Sequence, residues 1–177
     1  MTLNLRLGLY NPEETYMRYN WLIISLAALI ALMMSTIVGS RWYNAEYSQA
    51  KSLGLKQGQL TECSKSPNCV SSQTTKRSKY IEPIDANDTP ELTWLMLRDV
   101  VEKMPQASLI TENENYRHYQ FTTPLMGFID DVELLFNRTE KLIQVKSASR
   151  VGQSDMGTNR KRVTLLRKNL DEALSRK

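Results

Sequence analysis

Hydrophobic residues form one unbroken run near the start of the chain, and no charged residue interrupts it between Tyr19 and Ser40. A helix needs about 20 apolar residues to cross the ~30 Å hydrocarbon core of a bilayer, and residues 21–38 meet that length. Aromatic residues stand at both ends of the run, as is typical of the two membrane–water interfaces. The pattern predicts a single transmembrane helix over residues 19–42.

Two other interpretations fit this run less well. A cleaved signal peptide has an apolar run of about 7–15 residues, which is shorter than this one. A buried helix of a soluble protein would carry a polar face, and no polar face interrupts the run. We therefore expect the helix to be retained as an anchor.

Two helices are predicted after the anchor. The first begins at Thr89, where a hydroxyl, a proline and an acid follow one another, and it stops at Pro105. The second spans residues 158–174 and carries its leucines and valine on one face.

Strands are predicted between these helices, because apolar and polar residues alternate there with a period of two. Val132, Leu134 and Phe136 alternate with polar residues, which is the pattern of a half-buried strand. Short turns imply antiparallel pairing. We expect an α+β domain in which an antiparallel sheet of about four to five strands packs with two helices. The predicted strands are 107–111, 116–123, one around 132–136, and 142–149, with a short edge piece at 80–84.

The predicted organisation has four segments. Residues 1–18 form a short polar N-terminal segment, and residues 19–42 form the transmembrane helix. Residues 43–62, which contain glycines, lysines and glutamines, are predicted to be a juxtamembrane linker. Residues 63–177 form the soluble α+β domain.

Composition suits a folded domain without a metal centre. Of 177 residues, 41% are hydrophobic and 24% are charged, which is typical of globular rather than disordered chains. The two cysteines and one histidine are too few for a four-ligand zinc site. A disulfide between Cys63 and Cys69 is plausible, and two free thiols are the alternative. We expect no metal and no cofactor.

Four sequence motifs follow one another in the C-terminal part of the chain. They are Ser66-Pro-Asn-Cys-Val-Ser-Ser-Gln73, the block at 81–84, the Gly-Phe-Ile-Asp-Asp-Val-Glu block at 127–133, and the polar stretch at 147–163. Together they resemble domain-of-unknown-function family 1499, and the match covers roughly residues 63 to 170.

The resemblance implies a location more than a mechanism. Members of this family are bacterial or plastid proteins, often with an N-terminal membrane anchor or a lipoprotein signal. The family lends no established activity. One departure is Lys146, where the family pattern leads us to expect arginine.

Basic residues flank the anchor on both sides, so they do not decide its orientation in the membrane. The cysteine pair gives separate information about the compartment. A Cys63–Cys69 bridge would place the domain in an oxidising compartment. We expect a single-pass protein of the bacterial inner membrane with its C-terminal domain in the periplasm.

The stretch at 147–163 is the densest cluster of polar groups, and it joins the last strand to the last helix. A helix N-terminus with free N–H groups and an arginine can bind phosphate, carboxylate or a lipid headgroup. The same residues also suit a tightly packed corner in which Asp155 or Ser154 caps the helix and Arg150 pairs with a carboxylate. The candidate binding residues are Ser147, Ser149, Arg150, Ser154, Asp155, Asn159, Arg160 and Arg162, with Asp130 and Asp131.

Other catalytic groups are sparse. Asp131 and Glu133 share one face of a strand, so they suit an acid–base pair, a magnesium or calcium site, or an arginine-paired solvent face. No Ser-His-Asp order and no nucleophile elbow surrounds His118 in the sequence, so we do not expect it to be catalytic.

These features predict a membrane-anchored extracytoplasmic module rather than an enzyme. It would contact the lipid bilayer through its N-terminal helix and act as a binding, accessory or assembly module for a membrane or envelope protein complex. The alternative is a hydrolase, or a domain that binds a small anionic ligand or lipid headgroup through the 147–163 stretch. We expect no nucleic-acid partner, since few aromatic residues interleave with the basic residues of the last helix.

Overall fold

The N-terminal helix, α1, spans Pro12–Tyr47. The computed structural model describes residues 12–50, 52–86 and 89–176, and the predicted polar segment lies largely outside them. The chain divides into two compact units at Gly39 and Ser40. In α1 the stretch from Tyr16 onward is long and apolar enough to cross a membrane, and none of its most apolar window is buried. Length and composition therefore fit either a membrane span or a signal sequence.

The second unit has the predicted α+β architecture. Its helices are α2 (Pro90–Glu102) and α3 (Thr158–Leu174), and α3 has the predicted bounds. Its strands are β1 (Leu55–Lys56), β2 (Gln59–Leu60), β3 (Cys69–Ser71), β4 (Ile84–Asp85), β5 (Ala107–Glu112), β6 (Tyr116–Thr122), β7 (Ile129–Asn137) and β8 (Leu142–Ser149).

Six of the strands form one antiparallel sheet in the order β3-β8-β7-β6-β5, and β4 also pairs with β8. The four long strands are consecutive neighbours, as short turns require. The short strands β3 and β4 share the same edge of β8, so six strands occupy five positions. The strands β1 and β2 form a separate hairpin.

One face of the sheet, which we call the helix face, carries the main apolar core. Alternate residues of β7, among them Val132, Leu134 and Phe136, point to this face and are buried against α2 and α3. Both helices turn an apolar stripe toward the sheet, because their apolar residues recur at helical spacing. The buried stripe residues include Trp94, Leu97 and Val101 of α2, and Val163, Leu166 and Leu170 of α3.

The opposite face, which we call the hairpin face, is polar yet buried. It carries Tyr116, His118, Asp131, Glu133, Leu135, Lys146, Cys69 and Ser71, which are in register across the strands. Residues 52–63, the covering segment, contain the β1–β2 hairpin and lie over this face. The strand predicted to be half-buried is therefore buried on both faces, and Glu133 is only 1% exposed.

A disulfide joins the covering segment to the sheet. Cys63 follows the hairpin, Cys69 lies in β3, and their sulfurs are bonded. The plausible bridge is thus present, and a disulfide indicates an oxidising, extracytoplasmic environment.

Candidate functional site

The corner between β8 and α3 is held by a buried asparagine. Ser147 Oγ donates a hydrogen bond to Asn159 Oδ1 over 2.6 Å, and Asn159 Nδ2 donates to Ser149 Oγ over 3.0 Å. Arg162 donates to the same Oδ1 over 2.8 Å and to Asp130 Oδ2 over 2.5 Å. Five candidate residues are therefore bonded to one another inside the protein.

Asp155 secures the start of α3. Its carboxylate accepts hydrogen bonds from the backbone N–H groups of Asn159 (2.8 Å) and Gly157 (3.1 Å). Burial raises the pKa of Asp155. The backbone hydrogen bonds lower it by more, so the pKa of Asp155 lies below its usual value. The N-cap residue of α3 is Gly157, and the Asp155 carboxylate, two residues earlier, accepts from the N–H of Asn159 in the first turn. The hydroxyl of Ser154 accepts a bond from the N–H of Met156.

A second charged group lies on the hairpin face around Asp131. Arg150 donates to both of its carboxylate oxygens over 2.8 Å, and His118 Nε2 lies 2.8 Å from Oδ1. Burial raises the pKa of Asp131, but the bonds from Arg150 and His118 outweigh burial and leave the pKa below its usual value. Arg150 also donates to the backbone carbonyl of Ser48, which lies just after α1.

A third charged group lies deeper on the same face. The Lys146 ammonium donates to Glu133 Oε2 over 2.8 Å and to two oxygens of the covering segment, Ser52 O and Thr61 Oγ1, over 2.9 Å each. Glu133 Oε1 accepts bonds from Gly54 N–H and the Tyr116 hydroxyl. Each of the three N–H donors of the Lys146 ammonium therefore has an acceptor.

The candidate residues fall into separate groups, and Arg160 lies apart from both the corner and the Asp131 group. Arg160 donates to the backbone carbonyls of Tyr80 (2.9 Å) and Ser78 (3.1 Å), at the loop before β4. It ties α3 to that loop and shares no hydrogen bond with the residues of the corner.

An open cavity of about 580 Å³ lies beside the corner, within the size range of ligand pockets. Most of its lining surface is apolar. Three elements contribute: the last turns of α1, the β6–β7 loop, and the β8–α3 corner. The lining includes Ser40, Tyr43, Asn44, Thr123, Met126, Phe128, Asp130, Ser149, Val151, Gly152, Ser154, Asp155, Met156 and Thr158.

Sequence reasoning missed the α1 and β6–β7 parts of this lining. The contact between the β6–β7 loop and the end of α1 depends on Gly127, which has a φ of 69°. Its backbone lies so close to α1 that an added Cβ would be 3.1 Å from the Arg41 Cα. The Arg41 guanidinium donates to the Pro124 carbonyl at the same contact. The glycine of the 127–133 motif could have indicated this contact from the sequence, because close approach of two backbones is one reason for a glycine.

Residues of the 127–133 and 147–163 motifs line this cavity, and Asn68 of the opening motif bonds to Gly152 beside it. The model of a family described as protein of unknown function, DUF1499, matches residues 59–170. The chain belongs to the DUF1499 family. Comparison with curated proteins and with solved structures found no match.

The structure shows what two DUF1499 motifs do in this chain. Asn68, in the opening motif, donates through its side chain to the Gly152 carbonyl over 2.9 Å and accepts a bond at its own carbonyl from Asn159. The opening motif therefore braces the closing one. Lys146, the departure from the expected arginine, donates hydrogen bonds to the covering segment.

Proposed function

We propose that this protein is a membrane-anchored, extracytoplasmic binding domain that serves as an accessory or assembly module. Its helix would cross the bacterial inner membrane once, and its C-terminal domain would lie in the periplasm. The observation that carries the proposal is the open, largely apolar cavity formed where the end of α1 meets the DUF1499 fold.

The charged groups support binding rather than catalysis. The guanidinium of Arg150 is taken up by Asp131 and Ser48, and that of Arg162 by Asp130 and Asn159. A hydrolase, or a site for an anionic ligand, would need such groups to face the ligand. An apolar ligand or partner segment uses the cavity without breaking these pairs.

The anchor can be tested with a tag at each end of the chain. We expect both tags on one band of full length that stays in the membrane pellet after alkaline carbonate extraction. Loss of the N-terminal tag would show a cleaved signal sequence, and release into the supernatant would argue against a span.

The compartment can be tested through the cysteines. Cys63 and Cys69 should react with a thiol-alkylating reagent only after reduction, because a disulfide persists in an oxidising compartment. Alkylation without reduction would place the domain in the cytoplasm.

The binding role can be tested by affinity capture of the full chain in mild detergent. Met156 lines the cavity and is 89% exposed, so Met156→Asp should fold normally and lose the captured partners. Leu95→Asp is the matched control, since Leu95 is exposed on α2 and does not line the cavity. Equal capture by both variants would contradict a role for the cavity.

A further inference from the structure

We propose that the cavity takes up a hydrocarbon chain of a phospholipid from the bilayer that holds the N-terminal helix. This inference rests on the proposed function and names the class of molecule that the cavity binds. It concerns an acyl chain, whereas a headgroup would have to bind the charged groups of the β8–α3 corner.

Several polar side chains of the lining have partners inside the protein. Ser40 Oγ and Asn44 Nδ2 both donate to the Met126 carbonyl, over 2.8 and 2.9 Å. Asp130 is paired with Arg162, and other lining groups hold the corner together. Most of the lining surface is apolar, so the surface offered to a ligand is mainly carbon. Such a surface favours hydrocarbon, which needs no hydrogen-bond partner.

The lining of the cavity includes residues that follow the apolar run directly in the sequence. Ser40, a lining residue, comes two residues after Val38, which ends the run. Tyr43 and Asn44 complete the α1 part of the lining on the next turn. If the run is embedded in a bilayer, lipid chains end close to the cavity mouth, and a chain can enter without crossing bulk water.

Two exposed apolar side chains belong to the lining. They are Phe128 in the β6–β7 loop and Met156 in the loop before α3. Exposed apolar groups clustered beside a pocket mark a surface that meets lipid or a partner, and a flexible methionine adapts to a chain of varying shape. Adjacency to the span favours lipid as the occupant.

The test uses the full chain reconstituted in phosphatidylcholine vesicles that contain a small fraction of a phospholipid with a photoreactive diazirine on its acyl chain. After illumination, tryptic peptides are examined by mass spectrometry for lipid adducts. Cleavage after Arg150 and Arg160 isolates residues 151–160, which carry six of the lining residues. The span lies in the peptide 19–41.

We expect adducts on the span peptide and on peptide 151–160, and none on peptide 99–103 of α2, which is far from the lining in sequence and takes no part in it. Thr158→Trp places a large ring at the exposed, cavity-lining start of α3. It should reduce adducts on 151–160 about tenfold, the change expected if roughly two buried methylenes are displaced.

Thr164→Trp is the matched control, because Thr164 is exposed on the same helix and does not line the cavity. It should leave the adduct pattern unchanged. Resistance of each variant to trypsin before denaturation verifies that it is folded.

The outcomes separate the inference from the proposed function. Adducts on the span peptide alone would overturn lipid uptake and leave the anchor standing. Adducts on neither peptide would overturn the anchor and the inference together. If Thr158→Trp does not reduce the adducts on 151–160, the lipid contacts this peptide outside the cavity, and the inference is overturned. A cross-link to a co-purified protein in place of lipid would overturn it as well.

Discussion

The two faces of the sheet are buried by different means. The helix face is covered by α2 and α3, which bring long apolar stripes. Its core is mainly apolar, although Arg117 is buried there over the Trp94 ring and Asp130 is paired with Arg162. The hairpin face is covered by the short segment 52–63, whose strands are two residues each. Its only apolar cluster of buried residues in the part of the chain that the structure describes is Leu60 with Tyr116 and Leu135.

The difference shows how a short segment can be held in place. Apolar burial is proportional to area and has no direction, so it suits two long helices. The covering segment has little such area, and directed hydrogen bonds to Glu133 and Lys146 fix its position instead. Substitutions on the hairpin face should therefore be costly even where the side-chain volume is kept.

The largest effect is expected from Lys146→Met. It leaves the buried Glu133 carboxylate without its cation, which should cost about 3–5 kcal/mol of unfolding free energy. The double variant with Glu133→Gln should recover much of this loss, because no unpaired charge is left. Pulse proteolysis of the detergent-solubilised chain in urea measures the midpoints.

Leu134→Met is the matched control for the helix face, since Leu134 follows Glu133 in β7 and points to the opposite side. This volume-conserving exchange should cost less than about 1.5 kcal/mol. The contrast between the two faces fails if Lys146→Met is no more damaging than this control.

A smaller loss, about 2–3 kcal/mol, is expected from Arg150→Ala, which removes a bidentate partner of buried Asp131. Because the folded pKa of Asp131 lies below its unfolded value, the unfolded state binds more protons in the pH window between the folded pKa and the unfolded value of about 4. The stability from Asp131 is therefore present above that pH and is lost as the pH falls through the folded pKa. Urea midpoints measured from pH 6 to pH 2 should fall less steeply in the variant.

Arg160→Ala serves as the control for acid sensitivity, since the Arg160 guanidinium donates to backbone carbonyls in the loop before β4 and not to Asp131. Its pH profile should parallel that of the wild type. A profile as flat as that of Arg150→Ala would show that Asp131 is not the group responsible.

Removing the disulfide should have a still smaller global effect. Replacing Cys63 and Cys69 together by serine opens a short loop and should cost about 2 kcal/mol in the chain-entropy model. The loss should be concentrated in the covering segment. Hydrogen exchange should speed up in residues 52–62 while the amides of α2 stay protected, and uniform acceleration would contradict an independent attachment of the two faces.

The smallest effect is expected at the start of α3. Asp155→Ala removes two hydrogen bonds to backbone N–H groups and should cost about 1 kcal/mol, as for helix caps. Exchange should increase in the first turn of α3, and the hairpin face should be unaffected. Ser154→Ala, whose hydroxyl accepts one exposed bond, is the control and should change exchange less.

The sequence by itself determined the helices and the long strands. The bounds of α3 and β8 agree with the predicted ranges, since amphipathic period and turn residues are local signals. The disulfide was one of two open possibilities, and Asp155 was one of two candidates for the side chain that bonds the start of α3. Each of these features depends on residues close together in the chain.

Only the tertiary structure decided that the second face of the sheet is buried and where the cavity lies. Gly54 and Glu133 are 79 residues apart, and Ser40 and Met126 are 86 apart. No local pattern states which distant segment will cover a strand, so alternating polar residues in β7 looked solvent-facing. The buried charges became stable there because the fold brought each of them a partner, which is a property of contacts across the chain and not of the strand's own sequence.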